Sequence, residues 1–298
     1  MNNIQTNLNQ FLDYLKIEKN YSKQTIYNYW SWLNRFSQYL SVIENKQYIE
    51  EIKAMDISKF RSFLCSENLS KKTINYHITA IRSFFKFLQK YDIQTLAIEK
   101  LELAKLEPRT IEFLSQEEVD KLLSMPETFE KKELKKYRDL VVLNLLYGSW
   151  LRVSEAINIK LNQINFENNQ ITIIWKWSKQ RAVFITKKTL ELIKKYISLR
   201  NDNFKYLLIS LSKNSKWKAL TRVAIEDLVR DYASLAWIDK KVTPHTLRHS
   251  FATSLLMKWA DIRSVQALLW HSSITTTQIY THISDKYLKK VHALIDDN

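Results

Sequence analysis

The stretch TPHTLRHSFAT, residues 243–253, holds the densest chemistry in the chain. Thr243 is a good helix N-cap, and Pro244 suits the first helical position. His245 and Arg248 then stand three residues apart on one face of the first turn. A helix N-terminus already favours negative charge, so an added imidazole and guanidinium make it a clamp for an oxyanion or a phosphate. The competing arrangement is a metal site, because His245 and His249 have the i, i+4 spacing of H-E-x-x-H. Thr246 occupies the place of that motif's general-base glutamate and no third ligand is evident, so no metal is expected.

Three further segments carry groups of the same kind. GSWLRVSEA places Arg152 beside Glu155, IWKWSKQRAV places Lys176 between two short β-branched runs, and LLWHSSITTTQIYTH sets His271 nine residues before Tyr280. Ser272 or Ser273 would cap a helix between the last two. Taken singly, Tyr280 reads as a half-buried packing residue and Arg152 as an ion-pair partner of Glu155. The chemistry rests on the set.

Elements that position such a set are legible along the chain. SKQTIYNYWSWLNRFSQYL opens with Ser22 as N-cap and puts Ile26, Tyr29, Leu33, Phe36 and Leu40 on one helix face. SKKTINYHITAIRSFFKFLQKY repeats the arrangement from Ser70, with Ile74, Ile78, Ile81, Phe85 and Leu88 as the stripe. The shared start sets Lys23 and Thr25, then Lys71, Lys72 and Thr73, at two helix N-termini, where phosphate is favoured. Ordinary capping with solvated lysines is the alternative.

LELAKLEPRTIEF contains Pro108 and lacks a helical stripe, which predicts a linker at 106–113 between domains 1–105 and 114–298. SQEEVDKLL begins with the capping-box pair Ser115 and Glu118. RDLVVLNLLY reads as a buried helix, and QITII and RAVFIT as strands of a hairpin around WKWSKQ. The remainder reads as helix with breaks near 203–218, 237–244, 258–261 and 270–273. At the end, Tyr287, Leu288, Val291 and Leu294 recur at helical spacing and predict a short amphipathic helix. The chain should be mainly α, with a small sheet in its second domain.

Composition narrows the partner. The 298 residues hold 46 Lys and Arg against 31 Asp and Glu, a net charge of +15. The excess occurs in the first hundred residues and in the rest, so it is not one basic tail. A polyanion suits such a chain, because each neutralised phosphate releases counterions. A lysine-rich protein of unrelated role would have the same balance. The single cysteine, Cys65, excludes an internal disulfide and a cysteine-based zinc site, and its apolar setting FRSFLC predicts a buried structural thiol. No apolar run is long enough to span a membrane and the start MNNIQTNLNQ does not read as a signal peptide, so a cytoplasmic protein is expected.

With these motifs in their order and spacing, the chain resembles the tyrosine recombinases, or phage-integrase family, and within it the Xer-type branch. The resemblance covers nearly the whole chain and is strongest from 139 to 285. It matches Arg152 to the family's G-L-R-V-S-E-like turn, Lys176 to its hairpin lysine, His245 and Arg248 to H-x-L-R-H, His271 to L-G-H, and Tyr280 to the Y-T-H nucleophile. It implies a helical core-binding domain that closes on DNA opposite an α-rich catalytic domain with a small sheet, the DNA breaking-rejoining fold. Arg152 and Arg248 would then neutralise the non-bridging oxygens of the attacked phosphate. Tyr280 would form a 3′-phosphotyrosyl ester that keeps the energy of the broken bond, so neither cofactor nor metal is implied. Lys176 would protonate the leaving 5′ oxygen, His245 would assist Tyr280, and His271 would donate a hydrogen bond to the phosphate.

The implied partners are double-stranded DNA and a tetramer, either of one chain or two-plus-two with a second recombinase. Strands would be exchanged through a Holliday junction, in chromosome-dimer resolution or mobile-element integration, with a septal DNA translocase as a possible accessory. The amphipathic tail would dock on a neighbouring protomer, with packing on its own protomer as the alternative. A nicking-rejoining enzyme of type IB topoisomerase kind and a non-catalytic DNA-binding module are the other readings.

One feature departs from the family. The chain has 1 glycine and 9 tryptophans, whereas ordinary usage near 7% glycine would give roughly 20. Where the family has glycine, this chain has Trp150, Trp175, Trp177, Trp259 and Trp270, and commonly also at Trp237; Trp217 is a further candidate. Trp237, Trp259 and Trp270 follow helical stretches where a residue with positive φ is suited. Trp175 and Trp177 flank the hairpin lysine, and Trp150 lies beside Arg152. UGA codons that specify glycine but are written as tryptophan would account for both anomalies; Trp30 and Trp32 fit either residue. A diverged, inactive protein is the alternative.

Overall fold

The computed structural model describes residues 2–107, 112–174, 180–212 and 218–257. The chain divides into two compact units, Met1–Arg109 and Thr110–Asn298.

The first unit is helical. Its main helices are α1 (Ile4–Ile17), α2 (Lys23–Val42), α3 (Ala54–Ser66) and α4 (Lys71–Lys90). Asn3, Ser22 and Ser70 cap α1, α2 and α4, each side chain accepting a backbone N–H three residues on. The stripe Ile74, Ile78, Ile81, Phe85 and Leu88 is buried, and so are Leu33, Phe36 and Leu40 of α2. Ile26 and Tyr29 of the same stripe pack against that core while partly exposed. Phe11, Phe36, Phe60, Phe84 and Phe85 fill its centre, with Phe11 and Phe84 ring centroids 5.6 Å apart. Each of the four helices is followed by a residue in the left-handed region, and in this unit all four are Asn or Asp: Asn20, Asn45, Asn68 and Asp92. These are the side chains that tolerate positive φ best after glycine.

Cys65 corrects the sequence reading. It is exposed. Ile57, Phe60 and Leu64 define the buried face of α3, and the next residue is turned by about 100° around the helix axis, away from that face.

The second unit is built around α6 (Glu133–Gly148), in which every residue from Arg138 to Leu146 is buried. A helix that is apolar on most sides must be covered all round, and α6 is packed against α5 (Gln116–Phe129), α8 (Lys187–Leu199), α9 (Arg222–Leu235) and α10 (Pro244–Met257). Ser115 and Glu118 form the expected capping box at the start of α5. A short α7 (Val153–Ala156) precedes a three-stranded antiparallel sheet of β1 (Ile164–Asn165), β2 (Gln170–Ile174) and β3 (Gln180–Phe184), in the order β1-β2-β3. In the hairpin Ile171 pairs with Val183 and Ile173 with Arg181. The two-residue β1 has no counterpart in the sequence reading.

Between α8 and α9 one guanidinium organises irregular backbone. Arg200 donates to the carbonyls of Phe204, Tyr206 and Leu207 at 2.8–3.1 Å and is paired with Asp202. No helix among the described residues is long and apolar enough to cross a membrane.

Candidate active site

The start of α10 has the geometry its sequence predicts. Thr243 Oγ1 accepts the Thr246 N–H at 3.1 Å, and Pro244 is the first helical residue. Arg248 is buried, and its Nη1 donates to the carbonyl of Trp150. That bond spans 98 residues and fastens the first turn of α10 to the turn that follows α6. His245 lies at the surface of the same turn. Neighbouring protein atoms that displace water, then the cations Arg222 and Arg248, hold its pKa below that of ordinary imidazole, with Arg152 adding to the effect and Glu226 opposing it. His249, half-buried one residue beyond Arg248, is pushed down to about 4 by burial and by His245 and Arg248. Both rings are therefore biased to the neutral form, which can accept a proton or donate a hydrogen bond.

Arg152 occupies the N-cap position of α7. Its backbone N–H donates to Glu155 Oε2 at 2.8 Å, and its Nη1 to Glu155 Oε1 at 3.4 Å. Arg181 Nη2, from β3, donates to the same Oε2 at 2.7 Å. The Arg152–Glu155 ion pair expected of an isolated arginine therefore exists, and one carboxylate is shared by Arg152 and Arg181. Arg181 was not singled out from the sequence. The available signal was strand alternation, which places Arg181 on the inward face with Val183.

A cleft of about 590 Å³ opens beside these groups, lined by Arg152, Glu155, Asn158, Lys160, Ile174 and Tyr206 among others. Ile174 is the last residue of β2. Lys176, two residues on, lies outside the described residues, as do His271, Tyr280, the tail and Trp175, Trp177, Trp217, Trp259 and Trp270. Of the six expected site residues, the structure thus brings together Arg152, His245 and Arg248. Among the described residues no group of three His, Cys, Asp or Glu side chains is placed to hold a metal ion.

In the first unit the two echoing helix starts have the same construction. Ser22 Oγ and Ser70 Oγ each accept the N–H of Thr25 and Thr73 at 3.2 Å, and each lies 2.8–2.9 Å from that threonine's hydroxyl. Lys23 and Lys71 are exposed, while the Lys72 ammonium lies 5.7 Å from the centre of the Tyr76 ring. Neither helix has an acidic residue in its first turn.

Residues 112–287 match the phage integrase family, and residues 8–91 match the phage integrase N-terminal SAM-like domain. The chain is 33% identical over 300 residues to tyrosine recombinase XerC of Bacillus subtilis (strain 168), covering 98% of this chain and 96% of that protein. XerC of Staphylococcus aureus (strain MSSA476) is 32% identical over 297 residues, with the same coverage. In fold, the chain is similar to the XerH site-specific recombinase bound to palindromic difH substrate, with a TM-score of 0.76, 23% identity, and coverage of 97% of this chain and 84% of that one. It is also similar to a lambda integrase dimer bound to a COC′ core site, with a TM-score of 0.71, 15% identity, and coverage of 92% and 97%. The mainly helical second unit with its small sheet is the architecture shared with these enzymes, and the chain belongs to the phage integrase family, the tyrosine site-specific recombinases.

Proposed function

We propose that this recombinase cuts each DNA strand by attack of the Tyr280 hydroxyl on a phosphodiester, leaving a 3′-phosphotyrosyl ester and a free 5′-hydroxyl. The observation that carries the reading is the bond from Arg248 to the carbonyl of residue 150. It holds one buried guanidinium two residues from the backbone of another, Arg152, on elements far apart in sequence. Two planar cations so placed suit the two non-bridging oxygens on which charge builds during attack. Lys176 is the proposed general acid for the leaving oxygen, His245 the group that orients or deprotonates Tyr280, and His271 a hydrogen-bond donor to the phosphate. The ester conserves the energy of the broken bond, so resealing by a 5′-hydroxyl needs neither ATP nor a metal ion.

Residues 1–105 are proposed as the core-binding domain, 106–113 as linker and 114–298 as the catalytic domain. Double-stranded DNA is the partner, contacted in part by Lys23, Thr25, Lys71, Lys72 and Thr73 at the two matched helix starts. Four protomers, of one chain or of two, would exchange strands through a Holliday junction in the cytoplasm. The deciding experiment traps the protein on a nicked suicide duplex whose cleaved strand is lost. A covalent adduct through Tyr280, followed by exchange between two full sites, supports the reading. Binding without an adduct favours a non-catalytic module, and relaxation of supercoils without exchange favours a topoisomerase.

A further inference from the structure

We propose that positions 150 and 237 are glycine positions and that the working protein carries glycine at both. Seven residues in the described chain have positive φ without being glycine. Five are Asn or Asp, and the other two are Trp150 and Trp237, each with φ of 54°. A bulky aromatic side chain is a poor occupant of that region, because its Cβ crowds the backbone, and glycine is the residue that enters it freely. The one glycine in the chain, Gly148, is not at a positive φ.

Both positions are helix stops. After α9, Ala236 is the C-cap; the Trp237 N–H then donates to the Ser234 carbonyl at 3.0 Å and the Ile238 N–H to the Ala233 carbonyl at 3.1 Å. These are the two bonds of the Schellman motif, whose left-handed residue is ordinarily glycine. Trp237 is 84% exposed, so burial of its ring does little to offset the conformation. After α6, Ser149 is the C-cap and Trp150 follows in the same left-handed state. Its ring packs against Phe251, with centroids 5.3 Å apart, but its buried Nε1–H has no hydrogen-bond partner among the described residues. Among the described residues, the other helix stops that use a positive φ, after α1 to α4, carry Asn or Asp: Asn20, Asn45, Asn68 and Asp92.

Position 150 also matters to the site. Its carbonyl receives Arg248, and its φ sets the direction of that carbonyl and of the path to Arg152. Residue 150 is therefore a positioning residue that acts through its backbone. A UGA codon inserted as glycine explains both positions, together with the scarcity of glycine and abundance of tryptophan in the whole chain.

Two measurements test this. Mass spectrometry of the protein from its source cells reads tryptic peptides 139–152 and 231–240 directly. Glycine masses at 150 and 237 are expected, and tryptophan masses would overturn the proposal. Independently, Trp237→Gly should raise the folding equilibrium constant about tenfold over the parent, whereas Trp237→Ala, which removes the ring but keeps Cβ, should fall well short of it. Trp150→Gly should likewise raise covalent attachment to suicide DNA about tenfold more than Trp150→Ala. Equal behaviour of the Gly and Ala variants at both positions would remove the conformational basis. The mass and the position-237 measurements stand whatever reaction the chain performs.

Discussion

Arg181 of β3 and Glu155 of α7 meet at 2.7 Å with both side chains largely buried, and the same carboxylate holds Arg152. Removing the charge at 155 takes this carboxylate from the buried Arg181, a change that costs about 3 kcal/mol when a buried pair loses one partner. Glu155→Gln should therefore lower unfolding free energy in urea by about that amount, and should reduce covalent attachment while duplex binding persists. Arg181→Lys, which keeps the charge but loses the fork, should recover most of the stability and only part of the attachment.

Tyr280→Phe should abolish the covalent adduct and leave duplex affinity nearly unchanged, since a single hydroxyl is lost. Arg152→Ala and Arg248→Ala should each lower the cleavage rate about a hundredfold, on the order of 3 kcal/mol, the scale of a removed oxyanion donor. Single-turnover cleavage of suicide DNA measures both. An adduct that survives Tyr280→Phe would move the nucleophile elsewhere, with Tyr287 the first candidate.

Lys176→Ala should be rescued by a substrate bearing a 5′-bridging thiolate, which leaves without a proton. Cleavage rates on oxygen- and sulfur-bridged duplexes should then converge. Cleavage by the parent should continue in EDTA; loss of activity there would bring back a metal at His245 and His249.

His249 carries a sign that can be worked out. Its folded pKa, about 4, lies below the ordinary value near 6.5, so the unfolded chain binds the extra proton between these values. The stability associated with its neutral form is complete above about pH 6.5 and is lost as pH falls toward the folded pKa. Urea titrations from pH 7 to 4 should show that loss, at most about 3 kcal/mol, and His249→Gln should flatten it. A slope unaltered by the substitution would place the acid sensitivity in other groups.

DNA affinity should fall steeply with salt. Replacing Lys23, Lys71 and Lys72 with Gln should reduce the slope of log K against log salt by up to about 3, near one unit for each phosphate no longer neutralised. An unchanged slope would mean that the two matched helix starts are only capped and solvated.

What the sequence made legible follows from range. The stripes of α2 and α4 and the caps at Ser22, Ser70, Ser115 and Thr243 are local rules, and the structure obeys them. The positive φ at Trp237 was legible for the same reason, as the residue after a helix end. The Arg248–Trp150 bond was not, because it joins residues 98 apart and involves a carbonyl that every residue possesses. Arg181 was hidden inside a hairpin read only as a scaffold for Lys176. Cys65 failed because apolar neighbours in sequence do not share a helix face. Glu155 was visible as a partner for Arg152, but its second arginine comes from another element.

Arg200 has a consequence of its own. Irregular backbone in the stretch 202–207 is bridged to residues 159–161 and gathered on its other side by a single cation, which ties three carbonyls and one carboxylate to a common point. A ladder of strand bonds can fray one rung at a time, whereas groups gathered on one guanidinium are released together. This stretch includes Tyr206, a wall of the cleft that holds Arg152. Its amides should thus share one opening event and one protection factor in hydrogen exchange, as a small cooperative unit inside the larger fold.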